Sequence, residues 1–453
     1  MAGILTHVGT NEDLSGDACD FDHVKWIGKD HKYPINPSAA LCAYKEAVYE
    51  IPTHYQKKLI PPTLNVLDFI SLELPTTIAT LIDYSAKNCF SKREPTENIQ
   101  CLTKRNLPSR AFVDDAKLHF GQAVLDGAKS ITDPRYKGGS LPLWVVSYWD
   151  IMHYVREEQK TWQKATKWLR RHENISARMK IANESWALLG SLKWDTKVCL
   201  PGGGGSTVQL AQLLEDQMVK GDIVDMMVQY LKNRTKRDTD ISQRYHVETL
   251  VFMDHLNKAW KARKTSTGEI SSHLCRLQTQ MKTSPKLLLF PVNLPKMKHY
   301  IGFAIDFKKK LIYYGKHHDT SRELTLIITT LTGDSLKAFP PTEKDLEVKA
   351  VYKCIQWWLE LNFEGPFNDD GCTMEYGVQQ DSVSCAITTA NMLSHIIFGD
   401  PLWNTSTAVF ERVQWFNRLT KWQILVSINN HWFITHDLLN SRWLKIRLAP
   451  NHQ

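Results

Sequence analysis

The sequence lacks the features that mark secreted and membrane-spanning proteins. Its first residues, Met1 to His7, contain no basic region followed by an apolar run, so we expect no secretory signal. The longest charge-free apolar stretches, around Leu141–Trp149 and Leu324–Leu331, are far too short to cross a bilayer. The sequence therefore predicts a protein without a membrane partner.

Cysteine is too scattered to form a disulfide framework. The nine cysteines are odd in number and spread along the chain, which fits a reducing compartment better than disulfide pairing. Cys19 and His23 are residue types that bind zinc, but no second pair follows at zinc-site spacing. We therefore expect no metal, no cofactor, and a nuclear or cytoplasmic location.

The chain does have enough apolar residues for a substantial core. Hydrophobic residues make up 43% of its 453 residues. A chain of this length is expected to form about two or three domains. The net charge of +8 permits acidic partners without requiring one.

The front of the chain, residues 1–200, is predicted to be a mostly helical region of unassigned function. Its clearest element is a long helix over Leu141–Arg171, in which aromatic residues recur among lysines and arginines. Basic residues interleaved with aromatics also occur in nucleic-acid-binding proteins. We favour an amphipathic helix with an aromatic core face and a solvated basic face, because that arrangement is commoner. Nucleic acid stays the alternative partner of this half.

A run of four glycines within Pro201–Ser206 predicts a flexible linker and the main domain boundary. The second domain is expected to cover residues 203–419. Residues 420–453 are then a C-terminal extension, which we expect to be strand-like around Trp422–Ile428.

A short polar loop, Gly377–Ser384, delivers Cys385 to the start of an apolar helix. Ser384 is a good N-cap residue for that helix. A cysteine in the first turn lies among unpaired N–H groups at the positive end of the helix dipole, which favours the thiolate. Because the thiolate is the reactive form, Cys385 is the candidate nucleophile. The alternative is a small buried hydrophobic residue.

Three strands are predicted ahead of this loop. Leu287–Leu294 forms the first, and Ile301–Phe307 and Leu311–Gly315 form a hairpin about the charged turn Lys308–Lys310. His299 stands at the mouth of the first hairpin strand.

The order and spacing of these two motifs resemble the Ulp/sentrin-specific protease family, whose members are cysteine peptidases that process ubiquitin-like modifiers. The resemblance covers about Leu200 to Leu419. It implies an α+β fold, a papain-like or adenovirus-protease-like cysteine protease domain. In such a domain the helix that begins at Cys385 packs on a mixed or antiparallel sheet that carries His299. It also implies a ubiquitin-like modifier of the SUMO type, or its protein conjugates, as the partner.

The resemblance also implies roles for individual residues. Cys385 would be the nucleophile and His299 its general base. Gln379, six residues before the cysteine, matches the glutamine that binds the oxyanion, and Gln380 takes its place if the loop register slips by one. Tyr300 and Gln217 correspond to two tryptophans that roof the channel for a Gly-Gly tail, so both are implied substrate contacts.

The third catalytic residue of the family is an aspartate that orients the imidazole. The family spacing places Lys316 there, and a lysine cannot accept the imidazole N–H. If Lys308–Lys310 form a three-residue turn, the strand register sets Asp319 opposite His299, which makes Asp319 the substitute. A two-residue turn puts His318 there instead.

Together these observations predict a cysteine peptidase that cleaves after a modifier's C-terminal glycine through a thioester acyl-enzyme. One alternative is a lapsed module that binds the modifier without turnover, since Lys316 breaks the triad. Another is a nucleic-acid-associated protein that acts through its basic front half. Acyl transfer to an amine occurs in related cysteine folds, and no residue here singles it out.

Overall fold

The structure of the protein is a computed structural model. It describes residues 48–77, 85–133, 135, 139–173, 176–198, 205–263, 271–315, 343–377, 379 and 381–431. The chain divides into two compact units, of which the first comprises residues 1–64 and 69–160, and the second residues 65–68 and 161–453. Within the described ranges, no helix is long and apolar enough to span a membrane.

The front half of the described chain contains five helices and a small sheet. The helices are α1 (Thr53–Leu59), α2 (Val66–Ile70), α3 (Arg110–Leu125), α4 (Val145–His172) and α5 (Ser176–Leu189). The sheet is antiparallel and joins β1 (Phe90–Ser91), β2 (Ser130–Ile131) and β3 (Leu141–Pro142).

Helix α4 has two chemically distinct faces. Trp162 and Trp168 are buried, whereas Lys164, Lys167 and Arg170 are exposed. The aromatic stripe is therefore core and the basic residues are solvated, which confirms the amphipathic helix favoured from the sequence. Binding of nucleic acid to the basic face stays a prediction.

The division between the units lies inside α4 and not at the glycine run. Residues 161–198 belong to the second unit because they pack within it. The Trp162 indole N–H donates to the Trp194 carbonyl at 3.1 Å, and the Ser185 hydroxyl donates to Asn417 Oδ1 at 2.7 Å.

The flanks of the glycine run are paired with each other. The Val198 N–H donates to the Gly205 carbonyl at 2.9 Å, and Lys197 and Ser206 form an antiparallel bridge. Residues 199–204 lie outside the described ranges, and the domain boundary at residue 203 stays a prediction.

The second unit continues with a 3₁₀ segment, Thr207–Leu214, and a group of helices around a sheet. The helices are α6 (Gly221–Arg237), α7 (Thr239–Arg244), α8 (Leu250–Ala262), α9 (Ser272–Thr283), α10 (Glu343–Asn362), α11 (Cys385–Phe398) and α12 (Ala408–His431). The strands are β4 (Tyr245–Val247), β5 (Leu287–Leu294), β6 (His299–Asp306), β7 (Leu311–Gly315) and β8 (Asn368–Met374). The three strands predicted from the sequence are confirmed as β5, β6 and β7.

The sheet has the order β4-β5-β6-β7-β8 and is mixed. Its three central strands are antiparallel, whereas β4 and β8 pair in parallel at the two edges. The described part of the chain is therefore a mixed α+β structure, as the sequence predicted.

Strand β6 separates two packed layers. Ile301 and Phe303 belong to a buried cluster that also takes side chains from α8, α9 and α10. Gly302 faces the other way, where a Cβ atom would meet Met392 of α11. Successive side chains of a strand point to opposite faces, so β6 has the core helices on one face and α11 on the other.

The chain beyond 419 is helical where it is described, and the strand-like expectation for Trp422–Ile428 is wrong. Helix α12 runs without a break to His431. Leu419 and Gln423, one helical turn apart, are both buried, and Gln423 donates a side-chain hydrogen bond to the Lys197 carbonyl at 3.1 Å. This packing stabilises the helix beyond residue 419, although the intrinsic propensity of the residues there is strand-like. Residues 432–453 lie outside the described ranges.

Candidate active site

Cys385 is the first residue of α11, as the sequence predicted, and Asp381 organises the loop before it. The Asp381 carboxylate accepts hydrogen bonds from the main-chain N–H groups of Val383 (2.8 Å) and Ser384 (2.7 Å) and from the Ser384 hydroxyl (2.8 Å). Burial opposes its ionisation, but these hydrogen bonds outweigh that effect and lower the pKa of Asp381. Ser384 occupies the N-cap position without a side-chain cap, because its hydroxyl is directed to Asp381.

His299 is the first residue of β6, where it pairs with Leu294 of β5. The turn before it is held by the Glu347 carboxylate of α10, which accepts from the main-chain N–H groups of Lys296 and Met297 at 3.3 Å each. Lys298 completes this turn with a φ of 47°, an uncommon left-handed conformation for a residue other than glycine. The backbone that carries the half-buried imidazole is therefore held by β5, by the turn before it and by α10.

One cavity contacts four of the predicted site residues. His299, Tyr300, Gln379 and Cys385 all line it, together with residues of β6, β7 and α11. Its volume is about 30 Å³. A volume of this size holds about two water molecules beside the sulfur. Cys385 is accordingly only 1% exposed.

The sulfur of Cys385 experiences two opposing influences. Burial raises the pKa of the thiol, and the negative charge of Asp381 adds to the increase. Hydrogen bonds from the main-chain N–H groups of Tyr300, Ala386 and Cys385 itself lower it, but the net pKa stays above the ordinary value of a thiol. Desolvation of the buried sulfur therefore exceeds the effect of the helix N-terminus on this pKa, in contrast to the thiolate-favouring site expected from the sequence.

Gln379 is buried in the wall of the cavity, with its amide group already bound. Its Nε2 donates to the main-chain carbonyl of Asp381 at 2.5 Å and to the carboxylate of the same residue at 3.2 Å. An oxyanion role would require at least one of these hydrogen bonds to be exchanged. Gln380 lies outside the described residues.

Tyr300 is buried beside the nucleophile. Burial raises its pKa to about 12, and nearby Cys385, Asp225 and Asp222 add to the increase. Its hydroxyl lies near the start of α6, 3.6 Å from the position that a Cβ atom on Gly221 would take. Tyr300 therefore contributes a neutral, largely apolar wall to the site.

Gln217 is not among the residues that line the cavity. Its side chain is exposed, between the 3₁₀ segment and α6. Its main-chain carbonyl accepts a hydrogen bond from the Arg412 guanidinium at 2.8 Å. The structure thus separates Gln217 from the other predicted contacts.

The third catalytic position lies beyond the described residues. Lys316, His318 and Asp319 all fall in the undescribed range 316–342. The observed register pairs Asp306 with Leu311, so the three-residue turn on which the Asp319 alternative depended does not occur. Four residues, 307–310, form the turn because the Asp306 carboxylate accepts the N–H groups of the next two lysines at 2.9 Å.

Glycines allow α11 to approach the sheet closely. A Cβ atom on Gly302 would lie 1.9 Å from Met392 Cε, and one on Gly315 would lie 2.5 Å from Met392 Sδ. On the cavity's other side, a Cβ on Gly377 would lie 2.2 Å from the carbonyl oxygen of Trp403. The glycines are therefore required by space, and the sequence shows no periodic signal for such contacts.

Two residues that hold the site together were missed by the sequence analysis. Asp381 belongs to the loop Gly377–Ser384. Its spacing before Ser384 is typical of an Asx-type turn, and this signal could have identified it. Arg412 lies in a helix far along the chain, and no local pattern marks it. Its guanidinium reaches the Val383 carbonyl at 3.3 Å, next to the nucleophile loop.

No protein-family model and no curated protein matches the sequence. Among solved structures, the chain is similar to the SUMO protease Ulp1 with its catalytic cysteine oxidised to a sulfinic acid, at 15% identity and a TM-score of 0.37 over 53% of this chain and 95% of that one. The C-terminal Ulp1 protease domain in complex with Smt3, the yeast ortholog of SUMO, shows 16% identity and a TM-score of 0.37, covering 54% and 96% of the two chains. The catalytic domain of a Chaetomium thermophilum Ulp1-like SUMO protease shows 14% identity and a TM-score of 0.33, covering 54% and 88%.

Proposed function

We propose that the second unit is a cysteine peptidase that releases ubiquitin-like modifiers, of the SUMO type, from their conjugates or precursors. The observation that carries the proposal is a single cavity lined by both His299 and Cys385, with main-chain N–H groups directed at the sulfur. A histidine beside a cysteine at a helix N-terminus is the arrangement that acyl transfer by a thiol requires.

In this mechanism His299 accepts the thiol proton as the sulfur attacks the carbonyl carbon of the modifier's last glycine. A base is needed because the buried thiol is protonated at neutral pH. The C–S bond forms, the C–N bond to the leaving amine breaks, and the amine leaves with the proton from His299. Water then hydrolyses the thioester, with His299 again accepting a proton.

The N–H groups that hydrogen-bond to the sulfur are the natural donors for the oxyanion of the tetrahedral intermediate. Gln379 would add a side-chain donor after it exchanges a hydrogen bond with Asp381. The cavity of about 30 Å³ leaves little room beside the sulfur for a substrate tail. Glycine fits such a site best, because it adds no side chain to a narrow passage.

The test is reaction with a panel of ubiquitin-like modifiers that carry an electrophile at the C-terminal glycine. The wild type should form a covalent adduct with at least one of them, and Cys385→Ala should form none. Cys354→Ala is the matched control, because Cys354 is also buried with a pKa raised to about 12 but lies in α10, outside the cavity lining. An adduct that survives in Cys385→Ala, or no adduct with any modifier, would contradict the proposal.

A lapsed, modifier-binding module is the second candidate. The raised thiol pKa and the burial of Cys385 favour it, because both reduce the reactivity of the nucleophile. Calorimetry tests this candidate. A ubiquitin-like modifier without an electrophile should bind, while the protein forms no adduct and shows no hydrolysis.

A further inference from the structure

Arg412 is a buried cation whose hydrogen bonds all go to the main chain. The residue lies in the first turns of α12 and is 3% exposed. Its guanidinium donates to the carbonyl oxygens of Gln212 (3.3 Å), Glu215 (2.7 Å), Gln217 (2.8 Å) and Val383 (3.3 Å). These carbonyl oxygens satisfy the N–H groups of the guanidinium but do not neutralise its positive charge.

These four acceptors belong to two segments that are far apart in the sequence. Gln212 lies in the 3₁₀ segment, and Glu215 and Gln217 lie in the turn between that segment and α6. The fourth, Val383, stands two residues before Cys385. A planar guanidinium presents its N–H groups in a fixed fork, so one side chain joins both segments at a defined separation. A lysine has the charge but not the fork.

The positive charge of Arg412 acts on the nucleophile and on three carboxylates. Burial lowers the pKa of Arg412, while Asp216, Asp381, Cys385 and Glu215 all act on it electrostatically and raise it. Asp216 accepts the Trp168 indole N–H, and the Asp381 carboxylate accepts the N–H groups of its own loop.

Among the described residues that line the cavity, His299 and Tyr300 are also ionisable, and the tyrosine stays neutral. Positive charge in a site of low dielectric stabilises a nearby thiolate more strongly than it would in water.

We propose that Arg412 is a positioning residue for Cys385: its guanidinium fastens the nucleophile loop to the 212–217 turn, and its charge favours the thiolate. The effect on the thiol holds whatever acyl group the protein acts on. The effect on modifier reactivity rests on the proposed peptidase function.

The experiment compares Arg412→Met and Arg412→Lys with Arg418→Met in the full chain. Arg418 lies in the same helix and stacks over the Trp415 ring, so it controls for loss of an arginine from α12. Two quantities are measured: the pH midpoint of Cys385 alkylation by iodoacetamide, followed by mass spectrometry of its peptide, and the rate of adduct formation with the modifier electrophile that reacts best with wild type. Thermal unfolding identifies variants that do not fold.

Arg412→Met should raise the alkylation midpoint by about one pH unit, which corresponds to a tenfold change in the ionisation constant. It should slow adduct formation by about tenfold or more, as expected for lost transition-state stabilisation. Arg412→Lys should keep the midpoint near that of wild type but slow adduct formation several-fold, since it cannot hold both segments. Arg418→Met should change neither quantity.

A folded Arg412→Met protein with an unchanged midpoint and adduct rate would overturn the inference. If Arg412→Met does not fold, Arg412→Lys decides: a wild-type adduct rate in that variant overturns the positioning role. If wild type forms no adduct with any modifier, the peptidase proposal fails. The alkylation midpoint then still decides whether Arg412 acts on Cys385, because it requires no modifier.

Discussion

The main-chain N–H of Tyr300 is directed at the sulfur of Cys385 and lowers the pKa of the thiol. This contact ties the start of β6 directly to the start of α11, so the residue next to His299 in sequence touches the candidate nucleophile. A hydrogen bond from the backbone cannot be removed by a side-chain substitution. The relationship should therefore survive in most variants of the site that still fold.

Cys385 should alkylate slowly at pH 6, with a rate that rises as the pH increases past the ordinary range of a thiol. The reason is that burial raises its pKa, so the reactive thiolate forms only at higher pH. Iodoacetamide labelling resolved by peptide mass spectrometry gives the rate, with exposed Cys275 as the reference. Cys385 reacting faster than Cys275 at pH 6 would contradict this prediction.

His299→Ala should lower hydrolysis of a ubiquitin-like fusion by about 100-fold or more, because general-base catalysis contributes on that order. His395→Ala is the matched control. His395 lies in α11, the helix that begins at Cys385, but it contacts Glu375 and the Asp400 carbonyl and does not line the cavity. Initial rates at saturating fusion separate the two variants, and equal losses would argue against a base role for His299.

Asp381→Asn should reduce the free energy of unfolding at pH 7 by about 1–3 kcal/mol, the usual range for hydrogen bonds to a charged acceptor. The folded-state pKa of Asp381 is lowered, so its stabilisation is complete above the unfolded pKa and is lost as the pH falls through the folded pKa. Urea unfolding at pH 7 and at pH 3 should thus show a difference between wild type and variant that shrinks in acid. Asn in place of exposed Asp240 should cost much less at either pH. A difference that is independent of pH would contradict this account.

Lys316→Asp should raise hydrolysis of a ubiquitin-like fusion by at least about tenfold, the factor for roughly 1.4 kcal/mol of transition-state stabilisation. The prediction comes from the sequence spacing, because position 316 lies outside the described residues. Asp319→Ala should lower the rate if Asp319 serves as the substitute. An inert Lys316→Asp protein that still binds the modifier would favour the lapsed module.

The local elements of the site could be predicted from the sequence because each has a local cause. Alternation and turn residues identify β5 to β7, and helical spacing after a polar loop identifies α11. The electrostatics of Cys385 could not be predicted in this way, since the helix N-terminus is visible in the sequence whereas the depth of burial is not. The one-residue difference in the β6–β7 turn has a similar origin, because the hydrogen bonds to Asp306 decide its length.

Contacts between distant segments were the hardest to foresee. Arg412 and Val383 are joined by a hydrogen bond that no periodic pattern encodes. The family resemblance predicted Gln217 as a substrate contact. In the structure this segment forms a 3₁₀ turn and an exposed bend. A single sequence gives the strongest signal where neighbours in space are also neighbours in the chain.

The packing of α5 against α12 has a consequence for the smallest piece of this chain that can fold alone. A fragment cut to residues 203–419 would lose Ser185 and so leave Asn417 without its partner in the interior. It would also end in the middle of α12, before the buried Gln423. Limited proteolysis should therefore leave a resistant core that begins well before the glycine run and retains α12 intact.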